Sequence, residues 1–297
     1  MAEVKDVRIK MDMRKLMADF LDHCQHEKEL NKKTLEAYRI DLNQYAAFTE
    51  EPFLAASISS YADHLKESKK TKTVKRKIAS LRIFFRYLES EGHVFDNPMH
   101  RLKFDFEEPQ RPPESVPLET MQELLKAAYD GASMRDVAVL EMLFSAGLRV
   151  SELSALSAEN VDLRRGLVQV HGKGSRERTV TITNLETIWA LRQYSGEFQQ
   201  QITSSGFFFV NRNGRQLSEQ SVRDIVRSYA GKANLDRKVT PAILRNSFAT
   251  LMLDEGADIR YMQRILGHSR LTVTLSFDSS QRVRNEIEKN PRNRMSL

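Results

Sequence analysis

The chain has 297 residues, 40% hydrophobic and 29% charged, with a formal net charge of +6 and a pI near 9.3. That composition excludes a disordered chain and suits a soluble protein with room for two domains. The single cysteine, Cys24, excludes an internal disulfide. No run of about 18 apolar residues offers a membrane span, and the N-terminal "MAEVKDVRIKMDMRK" lacks a signal peptide's apolar core, so a cytoplasmic protein is expected.

The first hundred residues read as helical. "MRKLMADFLDHCQHEKEL" sets Leu16, Phe20 and Leu21 at helical spacing, and "NKKTLEAYRIDLNQYAAFTE" does the same with Leu35, Tyr38, Leu42 and Tyr45, with Asn31 or Thr34 as its cap. "SISSYADHLKES" and "TVKRKIASLRIFFRYLESEG" complete four helices, with Gly92 as a stop. In the last of these Ile78, Leu81, Phe84, Phe85 and Leu88 form one apolar face, opposite Lys75, Arg82 and Arg86. Residues 66–86 hold nine basic residues and one acid, Glu67. A lysine-rich solvated face is the ordinary explanation of such a run, while a polyanion partner is the functional one. Lys72, Lys75, Arg76 and Arg82 are the candidates for contact with a nucleic-acid backbone.

Four prolines in "FDFEEPQRPPESVP" deny helix and sheet, which predicts a domain of residues 1–103, a linker over 104–117 and a second domain over 118–297. The second domain opens with "LETMQELLKAAYDG", where Thr120 or an upstream acid serves as cap, and "MRDVAVLEMLFSAG", which stops at Gly147. A short helix in "LRVSELSALSAENVDL" precedes two period-two runs, Leu167–Val170 and Thr179–Ile182, on either side of a glycine-containing turn. The remainder reads as helical apart from "GFFFV". The expected fold is mainly α with a small β-hairpin or sheet: an N-terminal helical domain followed by an α+β domain.

No phosphate-binding loop, dinucleotide fingerprint, H-E-x-x-H or paired C-x-x-C is present, and the carboxylates are unclustered. What stands out is an ordered set of cations: Arg149 after "SAGL", Lys173 between two glycines, Arg245 in "TPAILRNSFAT" and His268 directly after Gly267. Singly, each has an ordinary explanation as a surface, turn or capping residue. Together, in the runs "SAGLRVSELSALSAENVDL", "VHGKGSRERTVTI" and "SFATLMLDEGADIRYMQRILGHSRLTVTLSF", they resemble the tyrosine recombinase (phage integrase-like) family, and most closely its Xer-type or transposon-borne simple members.

The resemblance implies a DNA-clamping N-terminal domain, a catalytic C-terminal domain, and DNA cutting and rejoining through a 3′-phosphotyrosyl intermediate. Arg149 and Arg245 would hold the non-bridging oxygens of the phosphate, with Glu152 supporting Arg149. His268 would donate a hydrogen bond or move a proton, and Lys173 would protonate the leaving 5′ oxygen. No metal or other cofactor is implied. The partners would be double-stranded DNA with an inverted-repeat site and further copies of the chain, two per site and four in a synapse. An accessory protein is compatible with this scheme.

Two positions depart from the family pattern. The nucleophilic tyrosine aligns with Phe277, and a histidine ahead of the Arg245 motif aligns with Ala242; Asn246, where histidine is frequent, is a milder change. Phenylalanine fills a tyrosine's space without its oxygen, so the expectation is an intact fold deficient in covalent cleavage. A substitution introduced to hold a DNA complex before cleavage fits the survival of all four cations. A catalytically inactive, recombinase-derived DNA-binding or architectural protein is the alternative. A helical protein–protein module leaves the cations unexplained.

Overall fold

Asp12 accepts a hydrogen bond from the Arg14 backbone N–H and Asn31 accepts one from that of Thr34, so polar side chains start the first two helices, α1 (Met13–His26) and α2 (Lys32–Phe48). They begin the N-terminal part of a computed structural model that describes residues 12–106, 113–131, 133–172 and 177–267. The chain divides into two compact units, Met1–Gln110 and Arg111–Leu297.

The first unit adds α3 (Ala55–Ser68) and α4 (Thr71–Ser90), followed by a 3-10 turn at Pro98–His100. Its core joins Phe20, Leu42, Tyr45, Ile58, Leu65, Ile78, Leu81, Phe84, Phe85 and Leu88, all buried. The apolar face of α4 is the one its spacing predicts, with one addition. Lys77 is buried and donates to Asp41 on α2 at 2.8 Å and to Gln44 at 2.5 Å, so one basic residue of the charge run is spent inside the fold. Asp41 also accepts from Arg76 and from the Ser80 hydroxyl. Phe104 and Phe106 pack on this core, and the Lys75 ammonium lies 5.8 Å from the Phe106 ring centre.

In the second unit, α5 (Leu118–Asp130) and α6 (Met134–Ala146) are followed by the short α7 (Val150–Ser154). Neither Thr120 nor an acid caps α5: Pro117 stands at its cap position without a side-chain bond. Every residue of α6 from Val137 to Ala146 is buried, which makes it the central helix of this core. Three antiparallel strands follow in the order β1 (Val161–Asp162), β2 (Leu167–His171) and β3 (Glu177–Thr181). Val168 pairs with Val180, and both point into the core. The predicted hairpin is therefore part of a sheet with one further short strand.

Next come α8 (Leu185–Glu197), α9 (Gln199–Ser205), α10 (Glu219–Lys232), α11 (Pro241–Asp254) and α12 (Ile259–Leu266). The Tyr194 hydroxyl, on α8, donates to the Phe208 carbonyl and accepts from the Val210 N–H, each at 2.9 Å, which pins the "GFFFV" stretch to the core. A smaller apolar cluster of Phe248, Met252, Leu253, Met262 and Leu266 fixes α12 on α11. The fold is mainly helical with a small three-stranded sheet, and its helix ends do the positioning that matters below. Gly147 ends α6 at φ +55°, and a Cβ there would lie 2.5 Å from the Phe248 ring; residue 148 turns toward α7 only because no side chain stands in the way.

Candidate active site

The chain folds so that four stretches far apart in sequence meet at the C-terminal end of α12. Arg149 occupies the cap position of α7, and its backbone N–H donates to Glu152 Oε2 at 2.8 Å, with its Nη1 donating to Oε1 at 2.7 Å. Arg178, on β3, donates from Nη1 to Glu152 Oε1 at 2.9 Å and from Nη2 to Oε2 at 2.7 Å, a bidentate fork. Each carboxylate oxygen of Glu152 thus accepts two hydrogen bonds, which fills its acceptor capacity. Arg245, on α11, places Nη1 3.8 Å from Oε2 and adds charge without a hydrogen bond to that oxygen.

The same three arginines hold the end of α12. Arg178 Nε donates to the Ile265 carbonyl, Arg245 Nη2 to that of Leu266, and Arg149 Nη2 to that of Gly267 at 3.1 Å. Arg245 Nη1 also donates to the Gly147 carbonyl at 2.5 Å. Three consecutive carbonyls at a helix C-terminus, where the backbone dipole is negative, are therefore each taken by a different guanidinium. Gly267 has φ +61°, and a Cβ on it would lie 3.2 Å from Arg178 Nη1, so the turn fits against the arginines because it has no side chain.

Burial acts against the charge of Glu152, but the hydrogen bonds and charge of Arg178, with the hydrogen bonds of Arg149, outweigh it and hold the carboxyl at about 2. Burial also acts on Arg245, and with the neighbouring Arg149 and Arg178 it pulls the guanidinium down to about 9, against the pull of Glu152. Arg245 remains a cation at neutral pH. One carboxylate among three guanidiniums leaves a net charge of +2. The Arg149 side chain is 39% exposed and that of Arg245 10%, so the cluster has a deep side and an open side. Such an arrangement attracts an anion; among the described residues no cluster of potential metal ligands occurs.

Of the residues picked out in the sequence, the structure brings together Arg149, Glu152 and Arg245. Lys173, His268 and Phe277 lie outside the described residues. Ala242 is exposed, and Asn246 donates to the Glu114 carbonyl at 3.0 Å, so it anchors the chain entering this unit. Lys72, Lys75, Arg76 and Arg82 belong to the first unit, on α4. Lys72, Arg76 and Arg82 are exposed, Lys75 partly so, and Arg76 is also bonded to Asp41. Sequence reasoning missed Arg178. Its signal is the period of the strand, which places it on the same side as the buried Val180.

The profile "Phage integrase family" matches residues 115–281, and "Phage integrase, N-terminal SAM-like domain" matches residues 17–92. A tyrosine recombinase of Agathobacter rectalis is 36% identical over 273 residues, which cover 87% of this chain and 89% of that protein. The tyrosine recombinase XerD of Listeria innocua is 32% identical over 287 residues, covering 92% and 96%. In three dimensions the chain is similar to the Tn1549 transposon integrase, solved with a tyrosine-to-phenylalanine change in complex with transposon right end DNA. The TM-score is 0.68 at 19% identity, over 88% of this chain and 95% of that one. Both units have a counterpart in the family, and relatives above 30% identity align along nearly the full length. The chain therefore belongs to the phage integrase family, among the relatives of the Xer-type tyrosine recombinases.

Proposed function

We propose that the chain is a site-specific DNA recombinase that binds duplex DNA and is built for strand cleavage and rejoining by transesterification. The observation that carries this reading is the arginine cluster at the end of α12, with its surplus positive charge around a saturated Glu152. In-line attack on a phosphodiester loads negative charge onto two non-bridging oxygens, and Arg149 and Arg245 are the groups to hold them. Glu152 accepts four hydrogen bonds and stays ionised, so it supports Arg149 and does not take a proton from substrate.

In the complete reaction a tyrosine at position 277 gives up its phenolic proton to solvent as its oxygen bonds to phosphorus, and the bond to the 5′ oxygen breaks. Lys173 delivers a proton to that oxygen and His268 donates to the phosphate. Phe277 has no oxygen, so this chain binds and holds DNA but does not form the link. The Tn1549 integrase was captured on DNA after the same exchange of residue type, a precedent for reading Phe277 as a substitution that stops the reaction before cleavage. By likeness to the family, two copies occupy an inverted-repeat site and four form the synapse, and the exposed cations of α4 contact the DNA backbone.

Restoring the oxygen tests the reading. Phe277→Tyr, incubated with DNA of the source replicon, is expected to yield protein that stays attached to DNA in denaturing detergent, while the unchanged chain yields none. The second reading, a DNA-binding protein without catalysis, draws on Ala242 together with Phe277. It gains if both versions bind and neither becomes attached.

A further inference from the structure

Arg178 lies outside the set of residues to which the reaction above gives a task, yet it makes the bidentate bond to Glu152 and reaches the Ile265 carbonyl as well. Its side chain is 9% exposed, so the charge is placed at a desolvation cost that surface attachment of a strand would not require. The arrangement around Glu152 shows what that charge does. A buried carboxylate draws to itself every donor within reach. Arg149 supplies two bonds to it, from its backbone and from one guanidinium nitrogen, and Arg178 supplies the other two.

Without Arg178, two acceptor positions of Glu152 would be open beside Arg149 and Arg245, whose Nη1 already stands at 3.8 Å. Both would turn further onto the carboxylate, and the net charge of the cluster would fall from +2 to +1.

We infer that Arg178 is a positioning residue for the phosphate grip: by saturating Glu152 it limits that carboxylate to one side-chain nitrogen of Arg149 and keeps surplus positive charge at the end of α12 for the phosphate to be cut. The inference rests on the reading that this cluster holds that phosphate. Arg178 does not touch the substrate. It acts through Glu152 and through the helix end, where a Cβ on Gly267 would lie 3.2 Å from its Nη1.

The test uses the chain as it stands, whose Phe277 keeps binding at equilibrium. A duplex selected by the chain from a random-sequence pool is prepared as a series in which one phosphate at a time is replaced by an uncharged methylphosphonate. For the unchanged chain, one position on each strand is expected to weaken binding by roughly 10- to 100-fold when neutralised, the range for hydrogen bonds to a charged group. That ratio of dissociation constants measures the grip.

In Arg178→Gln the ratio is expected to fall to within about threefold of one, while affinity for the neutralised duplex is kept. Arg178→Lys, which keeps the charge and loses the fork, is expected to fall between the two. A residue that merely holds the fold together would weaken both duplexes alike and leave the ratio unchanged, and that result overturns the inference. If Arg178→Gln does not fold, Arg178→Lys decides alone: a ratio lowered by about threefold or more supports the inference and an unchanged one overturns it. Should the unchanged chain show no sensitive phosphate at all, the phosphate-site reading itself fails and takes the inference with it.

Discussion

Asp41 in the first unit and Glu152 in the second are both buried carboxylates set among cations, and the difference lies in where those cations go next. Asp41 receives Arg76, Lys77 and Ser80, all from α4, and so staples α2 to one neighbouring helix. Lys77 ends on Gln44, still on α2. Around Glu152 the cations come from α7, β3 and α11, and each continues to a backbone carbonyl at the end of α12. The first arrangement closes on itself and reads as a structural tie. The second holds several elements at once and keeps more positive charge than it neutralises, on a side where Arg149 meets solvent. A carboxylate ringed by basic residues is therefore not by itself a functional mark; the second bonds of those residues decide.

The comparison breaks most sharply at Asp41. Asp41→Ala leaves Lys77 buried without its carboxylate and is expected to cost about 3–5 kcal/mol in urea unfolding of the full chain. An unchanged midpoint would mean that the tie contributes nothing and that the contrast is misdrawn. Glu152 is approached by acid. Its folded value of about 2 lies below the ordinary 4.5, so an unfolded chain takes up this proton first as pH falls. The contribution is complete above about 4.5 and drains as pH drops toward 2. It is worth on the order of 3 kcal/mol. Glu152→Gln should flatten that part of the stability–pH curve, and a curve of unchanged shape would refute the assignment.

The smallest effects belong to the outer face of α4. Lys72→Ala and Arg82→Ala should each lower the slope of log affinity against log salt by about 1, uniformly across DNA sequences. Arg76→Ala should lower the slope less, since part of its charge is engaged by Asp41, and should also destabilise the first unit.

Much of this architecture is legible in the sequence because it rests on local rules. The apolar spacing of α4, the Asn31 cap and the stop at Gly147 depend on neighbours a few residues away. Lys77 was not legible, since helical spacing places it beside an apolar face without revealing the aspartate opposite. The two-residue strand β1 was too short for any periodicity to register. Arg178 sits in "SRERTV", a stretch that reads as a charged hairpin, and only the inward side it shares with Val180 hints at burial. Among the described residues, Arg149, Glu152 and Arg245 stood out through the family motifs, but their convergence on one helix end is a matter of tertiary contact. Phe104, Phe106 and Val116 show the same limit. The prolines predict a linker, yet the two phenylalanines pack, partly buried, against the core of the first unit, and Val116 is buried in that of the second, where its N–H donates to Ser247 at 2.8 Å.

The bonds at the end of α12 span long stretches of chain: Arg149 to Gly267 across 118 residues, and Arg178 to Ile265 across 87. Closing loops of that length comes late in folding, after local structure has formed. A ribosome-bound chain that has not yet extruded α12 has its helices, its sheet and its basic α4 in hand, but not the carbonyls on which the three arginines converge. Synthesis therefore delivers the basic α4 well before the helix end on which the arginines converge, so the cationic cluster cannot assemble until α12 has emerged.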